Sequence, residues 1–230
     1  MNNVRSQGSA SAAQTMKKLL ERLRGGPPDG RATTAAVVDD SRFFSTLFME
    51  RHEDTQLSVP WKARQADIQA QPFDRNRGAD IFAELWGSDR LVAVMTPPNM
   101  GRFIQYLEFV QVPANQEVIG QDEQGDYMLV VLDGLVAVDR LQPWGGRARL
   151  AEARPGDMLG EMSLLDAGAR FSACTTLKPT ALAVLEAGRL DDLIREEPQL
   201  ALAFLASLAR RLSLRLRHVS ARLSALLSQG

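Results

Sequence analysis

The stretch GDMLGEMSLLDAGARFSAC, residues 156–174, isolates two charges: Glu161 directly follows Gly160, the next acid is Asp166, and the next base is Arg170. A planar guanidinium gives an anion two parallel, charge-assisted donors, a contact worth roughly 1.5–3 kcal/mol. A carboxylate accepts hydrogen bonds from hydroxyls, and a glycine before it lets the backbone approach a ligand closely. Backbone amides around the intervening turn, at Ser163, Phe171, Ser172 and Ala173, extend such an anion cradle. The plain alternative is that Glu161 and Arg170 pair with each other at the surface, worth only about 0–1 kcal/mol.

The elements that must position these residues are short. From Phe109 onward come runs such as FVQVP, QEVIGQ and YMLVVLDGLVAVDRL, the last with Asp133-Gly134 between two Val/Leu runs, which predicts a hairpin. GRARLAEARPGDMLGE adds two strands about a Pro155-Gly156 turn, and FSACTTLKPTALAVLEA adds two more around Lys178-Pro179. Short strands at this spacing predict a compact β-barrel or sandwich. Before them, residues 80–95 have helical spacing with Pro97-Pro98 as a stop. After Pro198, an apolar stripe runs Leu205, Leu208, Leu212, Leu216, Val219, Leu223, Leu226, the face of one helix of some 30 residues. Such a helix is roughly 45 Å long, so part of its stripe needs a surface beyond one small barrel, and a partner helix is expected.

The remaining chain bounds the function. With 27 basic against 28 acidic residues there is no net pull toward nucleic acid, although Arg210, Arg211, Arg215, Arg217 and Arg222 share an acid-free tail after Glu197. The longest apolar run, Leu200–Ala206, is far short of the roughly 20 residues of a membrane span. No apolar stretch precedes a cleavage site, and Cys174 stands alone, so the cytoplasm is the expected compartment. Residues 1–33 read as a flexible arm and linker ending in GGPPDG. Residues 34–78 read as a loosely packed N-terminal extension with one helix around 40–51.

The order of two entry helices, short strands, a PGD turn, LGEMSLLDAGARFSA and a closing helix pair resembles the cyclic nucleotide-binding domain family. The resemblance covers roughly residues 79–217. It implies an α+β fold: a jelly-roll β-barrel over 79–197 with N-terminal helices and a long C-terminal lid and dimerisation helix over 198–230. It identifies the stretch around Arg170 as a phosphate-binding cassette, with Arg170 on the cyclic phosphate and Glu161 on the ribose 2'-hydroxyl. Gly160, Met162, Ser163, Phe171, Ser172 and Ala173 complete its ligand-binding set. Two positions depart from the family pattern: Ala169 stands where Pro is usual, and Phe171 where Ser, Ala or Thr is usual. The Phe171 ring must then enter the barrel or lie over the ligand. In transcription regulators of this family the long helix contacts the base, and alignment through LARRLS puts that contact near Arg215, with Arg211 as second choice.

The implied function is a non-enzymatic cyclic nucleotide sensor, with cAMP as the first ligand and no other cofactor. Its partners are expected to be a second copy, held through the C-terminal helix, and an unidentified protein; neither DNA nor a membrane is expected, since no helix-turn-helix follows. The alternatives are a cGMP or cyclic di-GMP sensor and a degenerate, ligand-free dimeric scaffold. A cupin-type metal centre needs several inward histidines, and only His52 and His218 exist. An iron-sulfur centre needs about four cysteines.

Overall fold

The apolar runs between residues 108 and 186 form strands because they are short, β-branched-rich and interrupted by turns. In the computed structural model, residues 42–45, 48, 58–87 and 96–228 are described. The strands are β1 (Gln71–Pro72), β2 (Glu108–Val112), β3 (Glu117–Ile119), β4 (Tyr127–Asp133), β5 (Val136–Leu141), β6 (Arg147–Ala153), β7 (Met158–Leu159), β8 (Ala173–Thr176) and β9 (Thr180–Glu186). They make two antiparallel sheets, ordered β1-β2-β9-β4-β7 and β3-β8-β5-β6, in place of a closed barrel.

Strand β4 explains why two layers of core exist. Its residues alternate between two clusters: Met128, Val130 and Leu132 join the helix-side core, while Tyr127, Leu129 and Val131 join the core shared with Val118, Val136 and Cys174. Both faces of the strand are therefore buried, and its sequence reads as a continuous apolar run.

The predicted Asp133-Gly134 hairpin is not one. β4 pairs with β7 and β9, whereas β5 pairs with β6 and β8, so the turn carries the chain from one sheet to the other. Gly134 adopts φ 104°, and its N–H binds Asp133 Oδ1 at 2.8 Å. The turn chemistry was legible; which strands it joins depends on distant partners. The β5–β6 pair is the hairpin, closed by Gln142 N–H on Gly146 O at 2.7 Å.

The helices are α1 (Trp61–Asp67), α2 (Arg75–Gly87), α3 (Pro97–Phe103), α4 (Glu161–Asp166), α5 (Ala187–Glu196) and α6 (Pro198–Leu227). Pro97-Pro98, read as a stop, instead begins α3, where a missing N–H costs nothing. Helix α1 lies in the stretch read as loosely packed, yet Trp61 is fully buried. Of the helix expected around 40–51, Phe43, Phe44, Ser45 and Phe48 are described as helical, Phe44 and Phe48 being buried; residues 40–41, 46–47 and 49–51, the arm over 1–33 and residues 88–95 lie outside the described residues.

Helix α6 changes character along its length. Leu200, Phe204 and Leu208 are buried, with Phe204 packed on Phe103 and Trp86. The same stripe then runs into solvent at Leu216, Val219, Leu223 and Leu226, each more than half exposed. Among the described residues no helix is long and apolar enough to cross a membrane.

Candidate functional site

The chain leaves β7 through Gly160, whose φ of 79° is left-handed and suits glycine. A side chain there would also meet the Arg170 guanidinium and Ile119. Glu161 is the first residue of α4, and Ala167, at φ 50°, ends the helix with its N–H on Ser163 O at 2.8 Å. Residues 168–172 then return the chain to β8. Glu161 and Arg170, nine positions apart, thus flank α4, Glu161 as its first residue and Arg170 in the segment that returns to β8.

Arg170 is 2% exposed. Its Nη1 donates to Gly160 O at 2.7 Å and its Nη2 to Tyr127 O at 2.6 Å, and its guanidinium lies 4.6 Å from the centre of the Tyr127 ring. Among the described residues it forms no ion pair, and its Nε has no hydrogen-bond partner. Burial pulls its pKa below the ordinary guanidinium value, against the opposing influence of Tyr127 and Glu123. A buried cation held by neutral carbonyls is costly by itself and favours an incoming anion. The orphaned Nε is a donor of the kind that an anionic oxygen satisfies. Gly125 leaves room for the group: a Cβ there would lie 2.6 Å from Nη2.

Glu161 is equally buried but already has a cation. Arg215, projecting from α6, donates to Glu161 Oε1 while keeping half of its own side chain in solvent. Arg211, one turn earlier, donates to Gly156 O at 3.2 Å and lies over Trp86 at 4.9 Å. The long helix therefore touches the β7–α4 corner at two points. The alternative of a mutual Glu161–Arg170 surface pair is not what forms: each residue is buried and has other partners.

Of the two expected courses, Phe171 does not take the one into the core. Its ring stays 56% exposed at the rim, and Arg140 of β5 stacks on it, with the guanidinium 4.2 Å from the ring centre. Arg140 also donates to Phe171 O. Along β5, Val136 and Val138 face the core, so Arg140 projects on that same face where the sandwich opens. Ser163 and Ala173 are buried, Ser172 is half-buried and Met162 is exposed.

The match to known proteins falls on this arrangement. The family model of the cyclic nucleotide-binding domain matches residues 109–197, which include both sheets' principal strands and all of α4. Residues 109–197 are a cyclic nucleotide-binding domain. The chain is 30% identical over 116 residues to a CRP-like cAMP-activated global transcriptional regulator of Mycobacterium tuberculosis, covering 50% of this chain and 52% of that protein. It is 31% identical over 118 residues to the cyclic AMP receptor protein of Thermus thermophilus, covering 51% and 55%. The chain spans about half the length of these curated relatives. Among solved structures, a cyclic nucleotide-binding domain from Methylobacillus flagellatus aligns with a TM-score of 0.62 at 25% identity, covering 68% of this chain and 88% of that one. The Thermus thermophilus catabolite activator protein aligns at 0.52 and 30% identity, covering 60% and 63%.

Several residues around Arg170 in the domain escaped sequence reasoning. Glu123 and Gly125 lie on the β3–β4 connection and Tyr127 opens β4, all more than forty positions before Arg170. The backbone of Arg170 pairs with that connection, its N–H on Glu123 O at 2.7 Å and its O receiving Asp122 N–H at 2.9 Å. The GQDEQGD run that makes these contacts was a visible signal, being acidic and glycine-flanked between two apolar runs.

Proposed function

We propose that this chain is a cyclic nucleotide-responsive regulator that binds its ligand, cAMP first, between α4, Arg170 and α6. The observation that carries the reading is Arg170: buried, supported by two carbonyls, and retaining an unpartnered Nε. In this reading the guanidinium takes the single charge of the cyclic phosphate. Gly160, Met162, Ser163, Phe171, Ser172 and Ala173 line the cassette, and Glu161 accepts the ribose 2'-hydroxyl. Because Arg215 already holds Glu161, the hydroxyl must share that carboxylate or displace the guanidinium. Ligand entry is thereby linked to the position of α6, a two-state element that a few kcal/mol of differential binding can shift.

The open stripe of α6, with Leu216, Val219, Leu223 and Leu226, supports a second copy as the partner of that helix. The output is assigned to protein contacts rather than to DNA or to catalysis, in the cytoplasm, since 27 basic and 28 acidic residues leave no net pull on nucleic acid. Sedimentation of the purified chain tests the dimer: Leu216→Glu with Leu223→Glu is expected to give a monomer, and an unchanged mass sinks the helix pairing.

Calorimetric titration with cAMP, cGMP and cyclic di-GMP tests the ligand reading, repeated on Arg170→Ala. Saturable binding to one nucleotide, lost in the variant, is the expected result. A ligand at 100 times its Kd should also stabilise the fold by about 2.7 kcal/mol. No heat and no thermal shift with any of the three favours the second reading, a ligand-free scaffold, for which the pre-formed Arg215–Glu161 pair is the supporting observation.

A further inference from the structure

The strongest unassigned feature lies behind the cassette, on a helix outside the matched residues. Helix α1 is seven residues long and exposes most of its side chains, yet it grips the β3–β4 connection at several successive points. Val59 N–H donates to Gln124 O at 2.8 Å, and Trp61 N–H donates to Asp126 Oδ1 at 3.1 Å. Arg64 forms an ion pair with Glu123, and both side chains are about nine-tenths buried. The other Glu123 oxygen accepts the Gly120 N–H at 2.7 Å. Trp61 itself is pinned by its indole N–H on Glu108 Oε2 at 2.8 Å, and its ring lies 5.1 Å from that of Tyr127.

The gripped residues are the ones that hold Arg170. Glu123 O receives the Arg170 N–H, Tyr127 O receives its Nη2, and the Tyr127 ring lies beneath its guanidinium. Trp61 and Arg170 therefore touch the same tyrosine. Arg64 and Arg170 are tied to the same glutamate, one to its carboxylate and the other to its carbonyl.

We propose that Trp61 and Arg64 are positioning residues for the anion-binding guanidinium, so that helix α1 both sets nucleotide affinity and senses occupancy of the site. This rests on the reading of Arg170 as the phosphate ligand. The physical reason is rigidity: a guanidinium can present its donors in one direction only if the carbonyls that hold it stay fixed. Tyr127 O belongs to the first residue of β4 and Glu123 O to the connecting segment just before it, and the Arg64–Glu123 pair and the Trp61–Tyr127 contact restrain this entrance to the strand. An anion drawing Arg170 toward itself alters its bonds to Tyr127 and Glu123, and the change reaches Trp61 through direct contact.

The test uses the full chain, with cAMP and cGMP titrated calorimetrically and tryptophan emission followed on addition of whichever binds. Arg64→Ala and Glu123→Gln are each expected to weaken binding by about tenfold, and Arg64→Lys to restore part of it. Glu123→Gln keeps the shape and the acceptor for Gly120, which separates loss of the ion pair from loss of the fold. Addition of ligand is expected to change tryptophan emission less in Trp61→Phe than in the wild type, the remainder coming from Trp86 and Trp144. Unchanged affinity in both Arg64→Ala and Glu123→Gln, or an emission change undiminished in Trp61→Phe, overturns the proposal while leaving the ligand reading intact. Failure of the wild type to bind either nucleotide removes the ligand reading, and this proposal with it.

Discussion

Glu161 begins one short helix and Arg170 follows it in the return segment, each only 2% exposed, and they are compensated in opposite ways. The carboxylate has a full counter-charge, supplied across 54 positions by Arg215. The guanidinium has two carbonyls, the face of a tyrosine and one donor with no partner. Desolvation is costly for both charges, but only the acid has an opposite charge in direct contact. The difference teaches where a ligand's charge belongs: an anion completes Arg170, whereas anything that approaches Glu161 must negotiate with helix α6. One end of the site supplies affinity and the other couples it to motion.

The largest expected effect breaks the affinity end. Arg170→Ala should weaken cyclic nucleotide binding at least about 100-fold, near 3 kcal/mol, because a buried charge-assisted contact is lost without substitute. Arg170→Lys keeps a point charge but not the planar fork and should lie between the two, near tenfold. Folding should survive, since the substitution removes a desolvated charge together with its two carbonyl bonds. Calorimetry on the three proteins decides the matter, and wild-type affinity in Arg170→Ala would reduce the residue to a structural prop.

The same buried end predicts a loss of stability in alkali. Burial pushes the Cys174 thiol up to about 12, outweighing the Arg170 charge, which acts to lower it. Tyr127 is likewise raised to about 12 by burial, against Arg170 and Arg64. Both groups are neutral when protonated, and in each the folded pKa exceeds the unfolded one. Their contribution is therefore complete below the unfolded values and is lost as pH rises from about 9 toward 12, where the unfolded chain releases protons that the native state retains. By pH 10.5 the thiol alone accounts for about 1–2 kcal/mol. Denaturant unfolding at pH 8 and pH 10.5 should show the fall, and Cys174→Ala should flatten it; an equal fall in both proteins assigns it elsewhere.

The coupled end responds more weakly. Arg215→Ala strands a buried carboxylate, but the arginine is half in solvent, so screening limits the loss to about 1 kcal/mol. Glu161→Gln should cost less, and adding it to Arg215→Ala should cost almost nothing more. A coupling equal to the loss in Glu161→Gln alone, below about 1 kcal/mol, is the expected result from the four unfolding curves. Additive losses would show that the two residues meet without mutual stabilisation. In the same series, Arg215→Ala should change nucleotide affinity far less than Arg170→Ala does.

What the sequence made legible follows from how far each interaction reaches. Gly160, Glu161 and Arg170 lie within eleven consecutive positions, so their spacing encodes a local arrangement in which Arg170 returns to the Gly160 carbonyl. The α6 stripe was visible as periodicity, but not the point where its burial ends, which depends on how far the sandwich extends beneath it. Asp133-Gly134 showed a turn and concealed a change of sheet, because the hydrogen-bond partners of β4 and β5 lie elsewhere in the chain. Trp61 and Arg64 were illegible for the same reason: their partners Tyr127 and Glu123 are 66 and 59 positions away, and nothing local marks a tryptophan or arginine for that surface.

The smallest expected effect sharpens the comparison at the rim. Phe171 occupies the position after the buried guanidinium, and its ring neither enters the core nor lies unsupported, because Arg140 covers one face and binds its carbonyl. An exposed cation–π contact is worth about 0.5–1 kcal/mol, so Phe171→Ala should cost little stability. If the pair merely shields the opening, nucleotide affinity should move less than about threefold and equally for cAMP and cGMP. If the ring lies against the base, Phe171→Ala should weaken both purine nucleotides by about fivefold or more, with Phe171→Tyr retaining wild-type affinity. Because Arg140 extends from a strand and not from helix α6, neither change should alter the Arg215–Glu161 coupling, and a shift in that coupling would show that the rim and the helix act as one unit.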